Sequence, residues 1–270
     1  MTYQPFRPRE NRILAALGRG EIPLGMQIYT GSPSLIEILA YTGFDFYMLD
    51  MEHSRVNVET MVHCIRAADA AGITTLVRVI ENNPGLIRQS IEAGAQGVIV
   101  PHVETAQDAR KALEALRYPP EGKCGICPSI RASNFSHAGW EEYMDHSNRQ
   151  TMFIPLLEDI KGIENAEEII AQLKPGVDAV GVGFGDLSHS FRTQPGQKVD
   201  WQHPYLTEAF DKVLAISKKR GIPGIGMPWP NPTPECTKAS IEKGLKILLH
   251  FPDQHLFYNL CLDIVRTVKG

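Results

Sequence analysis

The chain has 270 residues, 43% hydrophobic and 21% charged, with a formal net charge of −4. That length and composition bury a core that needs no disulfide or structural metal, and the slight acidity argues against nucleic acid or an anionic membrane as principal partner. No apolar run approaches the ~20 residues of a membrane span, and five cysteines, an odd number, suit a reducing cytoplasm.

The first stretch, MTYQPFRPRENR, is basic but leads into no hydrophobic region, so it does not read as a signal peptide. From there one pattern repeats: an apolar run of strand length, polar turn residues, then a longer amphipathic stretch. The expected strands are PLGMQI (23–28), FDFYMLD (44–50), TTLVRV (74–79) and GVIVP (97–101), then MFIPLLE (152–158), DAVGVG (178–183), IPGIGM (222–227) and LKILLH (245–250). Between them, Ser32-Pro33, Asn83-Pro84 and Thr233-Pro234 each pair a capping side chain with proline at a first helical position. Thr105-Ala-Gln-Asp108 reads as a capping-box variant. Eight mostly apolar strands alternating with helices over this length predict an α/β fold, a single-domain (β/α)8 (TIM) barrel spanning 1–270. A doubly wound open sheet shares the local pattern, but the first turn, IYTGSPS, lacks its glycine-rich fingerprint. Residues 118–150 form a long insertion after the fourth helix, and long loops in barrels tend to be functional. Residues 253–268 predict an amphipathic last helix that packs on its own barrel or on a partner.

In a barrel the chemistry gathers where the C-terminal ends of the strands meet their loops. The second strand ends in FYMLDMEHS, delivering Asp50, Glu52 and His53 there. The third brings Arg78, the fifth ends in Glu158-Asp159, and the sixth leads into GFGDLSHS with Asp186 just past its end. Glu158 and Asp186 come from adjacent strands, and two carboxylates suit a hard divalent cation that keeps open positions for a keto acid. Such an ion would stabilise an enolate, an adjacent arginine would add positive charge at its oxygen, and a histidine would move a proton near neutral pH. These parts support aldol cleavage and addition with a pyruvate-type enolate. Singly, each carboxylate at a strand end is more often a helix cap or salt-bridge member than a ligand, and His53 taken alone is no more specific. Arg78 inside an apolar strand demands an anionic partner, because a buried unpaired charge costs several kcal/mol, on the order of what one ion pair offsets.

At these residues the sequence resembles the HpcH/HpaI family of metal-dependent (class II) pyruvate aldolases, whose members act on hydroxy-keto diacids and keto-deoxy sugar acids. The resemblance runs from about Leu24 to the C-terminus through GFDFYMLDMEHS, LVRV, IEAGAQGVIVPHVETAQDARKALEALRYPPEGKCG, LLEDIKGIENAEEI and VDAVGVGFGDLS. It implies His53 as general base, Arg78 as the enolate-stabilising residue, and Glu158 and Asp186 as ligands of Mg2+, Mn2+ or Co2+. It further implies that the amides of Gly185 and Asp186 hold the substrate carboxylate, and that Asp50 and Glu52 order the surrounding waters and side chains. In the family an Asp raises the basicity of the histidine; Glu92 stands at that position. Glu92 falls at the far end of its helix from the expected site, so the pairing implies a neighbouring subunit, and the resemblance suggests a homohexamer. The sequence departs from the family at Leu156, where a Gln usually touches the keto acid, at Phe184, where a Pro is usual, and at Gln27, where a Trp is common.

Other features mislead more easily. CGIC at 124–127 has redox spacing but is a lone pair in a loop. Arg131, in the insertion, could meet a distal substrate carboxylate or lie on the surface; His189, three residues after Asp186, could line the pocket. The reading that results is a metal-dependent aldolase acting on a 4-hydroxy-2-keto acid and an aldehyde through a metal-bound pyruvate-type enolate. The alternatives are a keto-acid-binding barrel with little turnover and a related metal-dependent decarboxylase or lyase.

Overall fold

A computed structural model of the chain describes residues 9–230 and 233–270. Residues 1–8, on which most of the leader-peptide expectation falls, lie outside the described residues. Among those described, eight strands run in parallel and close in sequence order into a barrel. They are β1 (Leu24–Ile28), β2 (Phe46–Asp50), β3 (Thr74–Arg78), β4 (Gly97–Val100), β5 (Met152–Leu157), β6 (Val180–Val182), β7 (Gly224–Gly226) and β8 (Leu245–Pro252). Pairing of β1 with both β2 and β8 completes the ring and rules out the open sheet. Every expected strand forms, its ends shifted by at most two residues.

Alternation along the strands sorts the side chains. Phe46, Met48, Leu76, Ile99, Met152 and Ile154 fill the barrel interior, while Tyr47, Leu49, Val77, Val98 and Phe153 face the helices. A Cβ on Gly25 would lie 2.3 Å from the Phe46 ring, so glycine is what lets that ring occupy the axis. At the N-terminal end the interior is stoppered by the helix Arg12–Gly18: Ile13 is fully buried, and Asn11 Nδ2 donates to the carbonyls of Gln96 (3.1 Å) and Gln150 (2.8 Å). The opposite end stays open.

The helix starts follow the capping signals with one exception. Asn83 Oδ1 accepts from the amide of Gly85 at 2.8 Å, Thr233 Oγ1 from that of Cys236 at 3.2 Å, and Thr105 with Asp108 closes a capping box. Ser32 makes no such bond; only Pro33 marks that start. Residues 118–150 contain a short 3-10 turn (Arg131–Ser133) and the helix Trp140–Gln150. Tyr118, Trp140 and Tyr143 form a buried aromatic cluster with edge-on contacts at 5.7–5.8 Å. Arg131 donates to the Ala93 carbonyl (2.9 Å) and to Asp69 (2.5 Å), near the C-terminal ends of two outer helices. It is a structural tie, because a segment feeding the start of β5 reaches the barrel from the stoppered end. The chain finishes in the helix Asp253–Lys269.

Candidate active site

The inward register that places Phe46 and Met48 on the barrel axis carries on to Asp50, and likewise from Leu76 to Arg78 and from Ile154 through Leu156 to Glu158. Three ionisable groups and one leucine thus arrive at the open mouth by strand geometry alone. Asp50 is fully buried and anchors the mouth: its carboxylate accepts the His53 amide at 2.7 Å and pairs with the Arg78 guanidinium. The Ser54 hydroxyl donates to the Asp50 carbonyl, folding the turn back on itself. Arg78 also donates to the Tyr29 hydroxyl at 2.9 Å and lies 3.3 Å from Glu52. The anionic partner that a buried arginine demands is therefore Asp50.

Glu158 is 1% exposed, and burial pushes its carboxyl up to about 7, although the His102 amide donates to Oε1 at 2.9 Å. Burial raises Glu52 as well, and its Oε2 has no hydrogen-bond partner. His53 is half exposed, its Nε2 3.7 Å from Glu52 and 4.0 Å from Asp186. Asp186 sits in the first turn of the helix Phe184–His189, whose leading amides, Gly185's among them, have no carbonyl to bond within the helix. The chain enters that helix against Glu158: a Cβ on Gly183 would lie 2.2 Å from Glu158 Oε2.

His102, at the end of β4, was not singled out in the sequence. Its backbone is left-handed (φ 50°). Nδ1 lies 2.9 Å from Asp159 and Nε2 3.7 Å from Glu52. Burial pulls this imidazole down, but the hydrogen bond to Asp159 and the charges of Glu158, Asp159 and Glu52 carry it above the usual histidine range. Single oxygens of Glu52 and Glu158 and a ring nitrogen of His102 fall within 4.8 Å of one another, a cluster that could hold a metal ion. The usable signal was position: in GVIVPHVET, His102 follows a strand end just as His53 does.

His53, Arg78, Leu156, Glu158, Gly185 and Asp186 line one cavity of about 890 Å³ over the mouth. Its far wall, also unanticipated, comes from later loops. Phe184 and Trp229 stack at 3.8 Å and 11°, and the Trp229 indole N–H donates to Thr207 at 3.0 Å. Glu92 is not brought here. It lies on the outer helix Pro84–Ala93, 4.0 Å from Arg88, with its carboxyl raised by burial. His189 is exposed and does not line the cavity. Cys124 is buried, which pushes its thiol up to about 11, the opposite of a redox-active thiolate.

Residues 24–232 match the profile of the HpcH/HpaI aldolase/citrate lyase family. The chain is 32% identical over 254 residues to a 2-dehydro-3,6-dideoxy-6-sulfogluconate aldolase of Pseudomonas putida, covering 94% of this chain and 95% of that one. It is also 32% identical over 213 residues to a 5-keto-4-deoxy-D-glucarate aldolase of Klebsiella pneumoniae, covering 79% and 80%. Among solved structures, an HpcH/HpaI aldolase/citrate lyase family protein of Burkholderia cenocepacia superposes with a TM-score of 0.83 at 28% identity, covering 96% of this chain and 100% of that one. Profile match, sequence identity and barrel agree: the chain belongs to the HpcH/HpaI aldolase/citrate lyase family.

Proposed function

We propose that the chain is a metal-dependent class II aldolase, a carbon–carbon lyase that cleaves or forms a 4-hydroxy-2-keto acid. One observation carries the reading: Glu158, almost fully buried with its carboxyl raised to about 7 by burial, lies beside Glu52, whose buried Oε2 makes no hydrogen bond and shares Arg78 with Asp50. Buried carboxylates in surplus over their cations fit a hard divalent ion. Glu158 and Asp186 would hold Mg2+, Mn2+ or Co2+; the cluster that gathers around Glu158 is Glu52 and His102, without Asp186. When bound, the ion supplies Lewis-acid polarisation of the keto oxygen.

The chain's own groups do the rest. Arg78, fixed by Asp50 and Tyr29, adds positive charge where the keto oxygen becomes anionic. His53 takes the proton of the 4-hydroxyl in cleavage and returns it in addition. The amides of Gly185 and Asp186 receive the substrate carboxylate, and Leu156 forms an apolar wall beside it. Glu52 orders the waters and side chains between His53 and Arg78.

The site is completed by assembly. Glu92 reaches a histidine only across a subunit boundary, and the resemblance points to a hexamer. The last helix offers a surface for it: Phe257, Tyr258, Leu260, Ile264, Val265 and Val268 are all exposed, and an apolar face of that size is a docking surface. Among the described residues no helix is long and apolar enough to cross a membrane, and five free thiols suit a reducing cytoplasm.

The test is turnover of oxaloacetate and of 4-hydroxy-2-keto acids with added Mg2+, Mn2+ or Co2+. Activity should vanish on chelation and return with metal; undiminished activity after exhaustive chelation would overturn the reading.

A further inference from the structure

The cavity holds one more piece of information, about the aldehyde. Its lining is poor in cations. Among the described residues that line it, Arg78 is the only lysine or arginine, and its guanidinium is engaged by Asp50, Glu52 and Tyr29. The far wall is built from Phe184 stacked on Trp229, with Pro228 and Pro230 beside them and Trp201, 53% exposed, at the rim. Phe184 directly precedes the Gly185 and Asp186 amides, so a keto acid seated there lies in one cavity with that wall. A second carboxylate or a sulfonate there would meet no lysine or arginine among the described residues, an arrangement that proteins avoid for buried anions. A flat apolar group would meet aromatic faces already aligned, with the indole held in place by its bond to Thr207. The two similar aldolases described above are named for substrates of the other kind, one with a sulfonate and one a diacid.

Building on the aldolase reading, we propose that this enzyme's acceptor is an uncharged aldehyde bearing an aromatic or comparably flat apolar group. In the addition direction C3 of pyruvate loses a proton and bonds to the aldehyde carbon. The aldehyde oxygen takes up a proton, and the product is a 4-aryl-4-hydroxy-2-keto acid. No oxidant or further reactant enters.

The experiment compares kcat/KM for pyruvate addition to benzaldehyde and to succinic semialdehyde, with Mn2+ present and oxaloacetate decarboxylation measured in parallel. Benzaldehyde should be favoured by about tenfold or more, the scale of discrimination that one apolar pocket gives. Trp229→Ala should collapse that ratio, and Trp229→Phe, which keeps a stacking face, should retain most of it. Equal or better use of succinic semialdehyde by an enzyme that decarboxylates oxaloacetate would overturn the acceptor assignment and leave the aldolase reading standing. Loss of all three reactions in the wild-type protein would remove both.

Discussion

The two ends of the barrel handle buried charge in opposite ways. At the stoppered end Arg117 and Asp178 form an ion pair (2.5 Å) with side chains 3% and 0% exposed. Arg117 also donates to the carbonyls of Asn148 and Thr151, and Asp178 accepts the amides of Phe153 (2.8 Å) and Lys174 (2.9 Å). One cation meets one anion, and the remaining polar atoms meet backbone. At the open end Arg78 faces Asp50 and Glu52, while Glu158 stands close by on the neighbouring side of the mouth. There the carboxylates outnumber the guanidinium, and Glu158, raised chiefly by its burial and further by the charge of Glu52, is left among the described residues without a cation of its own from a lysine or arginine. The same residue types thus make a rivet where charges balance and a reactive mouth where they do not.

That contrast is most sharply broken by a pair of variants. Glu158→Gln should remove turnover, a loss of roughly 10³-fold or more, since Lewis-acid assistance is worth several kcal/mol. The fold should persist, with an unchanged melting profile. Asp178→Ala should do the reverse, costing about 3–5 kcal/mol of stability by stranding Arg117, with normal turnover per folded molecule. A destabilised Glu158→Gln protein, or an inactive but stable Asp178→Ala protein, would erase the distinction between the two ends.

His53 provides a finer test of the open end. His53→Ala should slow aldol cleavage by roughly 10²–10⁴-fold and slow oxaloacetate decarboxylation less, because that reaction has no 4-hydroxyl proton to move. Equal losses would make His53 a positioning residue for substrate.

The surplus of carboxylates also predicts a pH dependence with a definite sign. Glu158 must be ionised to act as a ligand, and burial holds its carboxyl at about 7, so protons compete with metal below neutrality. Mn2+ affinity, measured by titration, should fall about tenfold from pH 8 to pH 6. An affinity independent of pH over that range would mean that Glu158 is not a ligand.

The smallest effect belongs to Leu156. It shares the Glu158 face of β5 and lines the cavity, where it offers no hydrogen bond to a keto acid. Leu156→Gln should lower the inhibition constant of pyruvate about fivefold, the worth of one net hydrogen bond. An unchanged constant would show the wall to be indifferent to the donor.

The barrel was legible in the sequence because period and punctuation are local: apolar runs, Asn83-Pro84 and the Thr105–Asp108 box declare themselves within a few residues. The strand-end groups were legible for the same reason, since two-residue alternation carries Phe46 and Met48 directly to Asp50. His102 was not, because its place depends on a left-handed turn and on Asp159 from the next strand. Nor was the Phe184–Trp229 wall, which joins loops separated by more than forty residues. The place of Arg131 was left open between substrate and surface, because an insertion advertises itself without saying at which end of the barrel it lies.

One tether joins the last strand of the barrel to its first. Asp253 accepts the amides of Tyr29 (2.9 Å) and Thr30 (3.3 Å), and the Tyr29 hydroxyl meets Arg78. The strand just before it, β8, is the one that closes onto β1. A chain emerging from the ribosome therefore carries nearly all of its candidate catalytic groups before the barrel can close: until β8 and Asp253 are out, the ring is open and Tyr29 is untied. A truncation before Asp253 should therefore leave Tyr29 untied and abolish turnover.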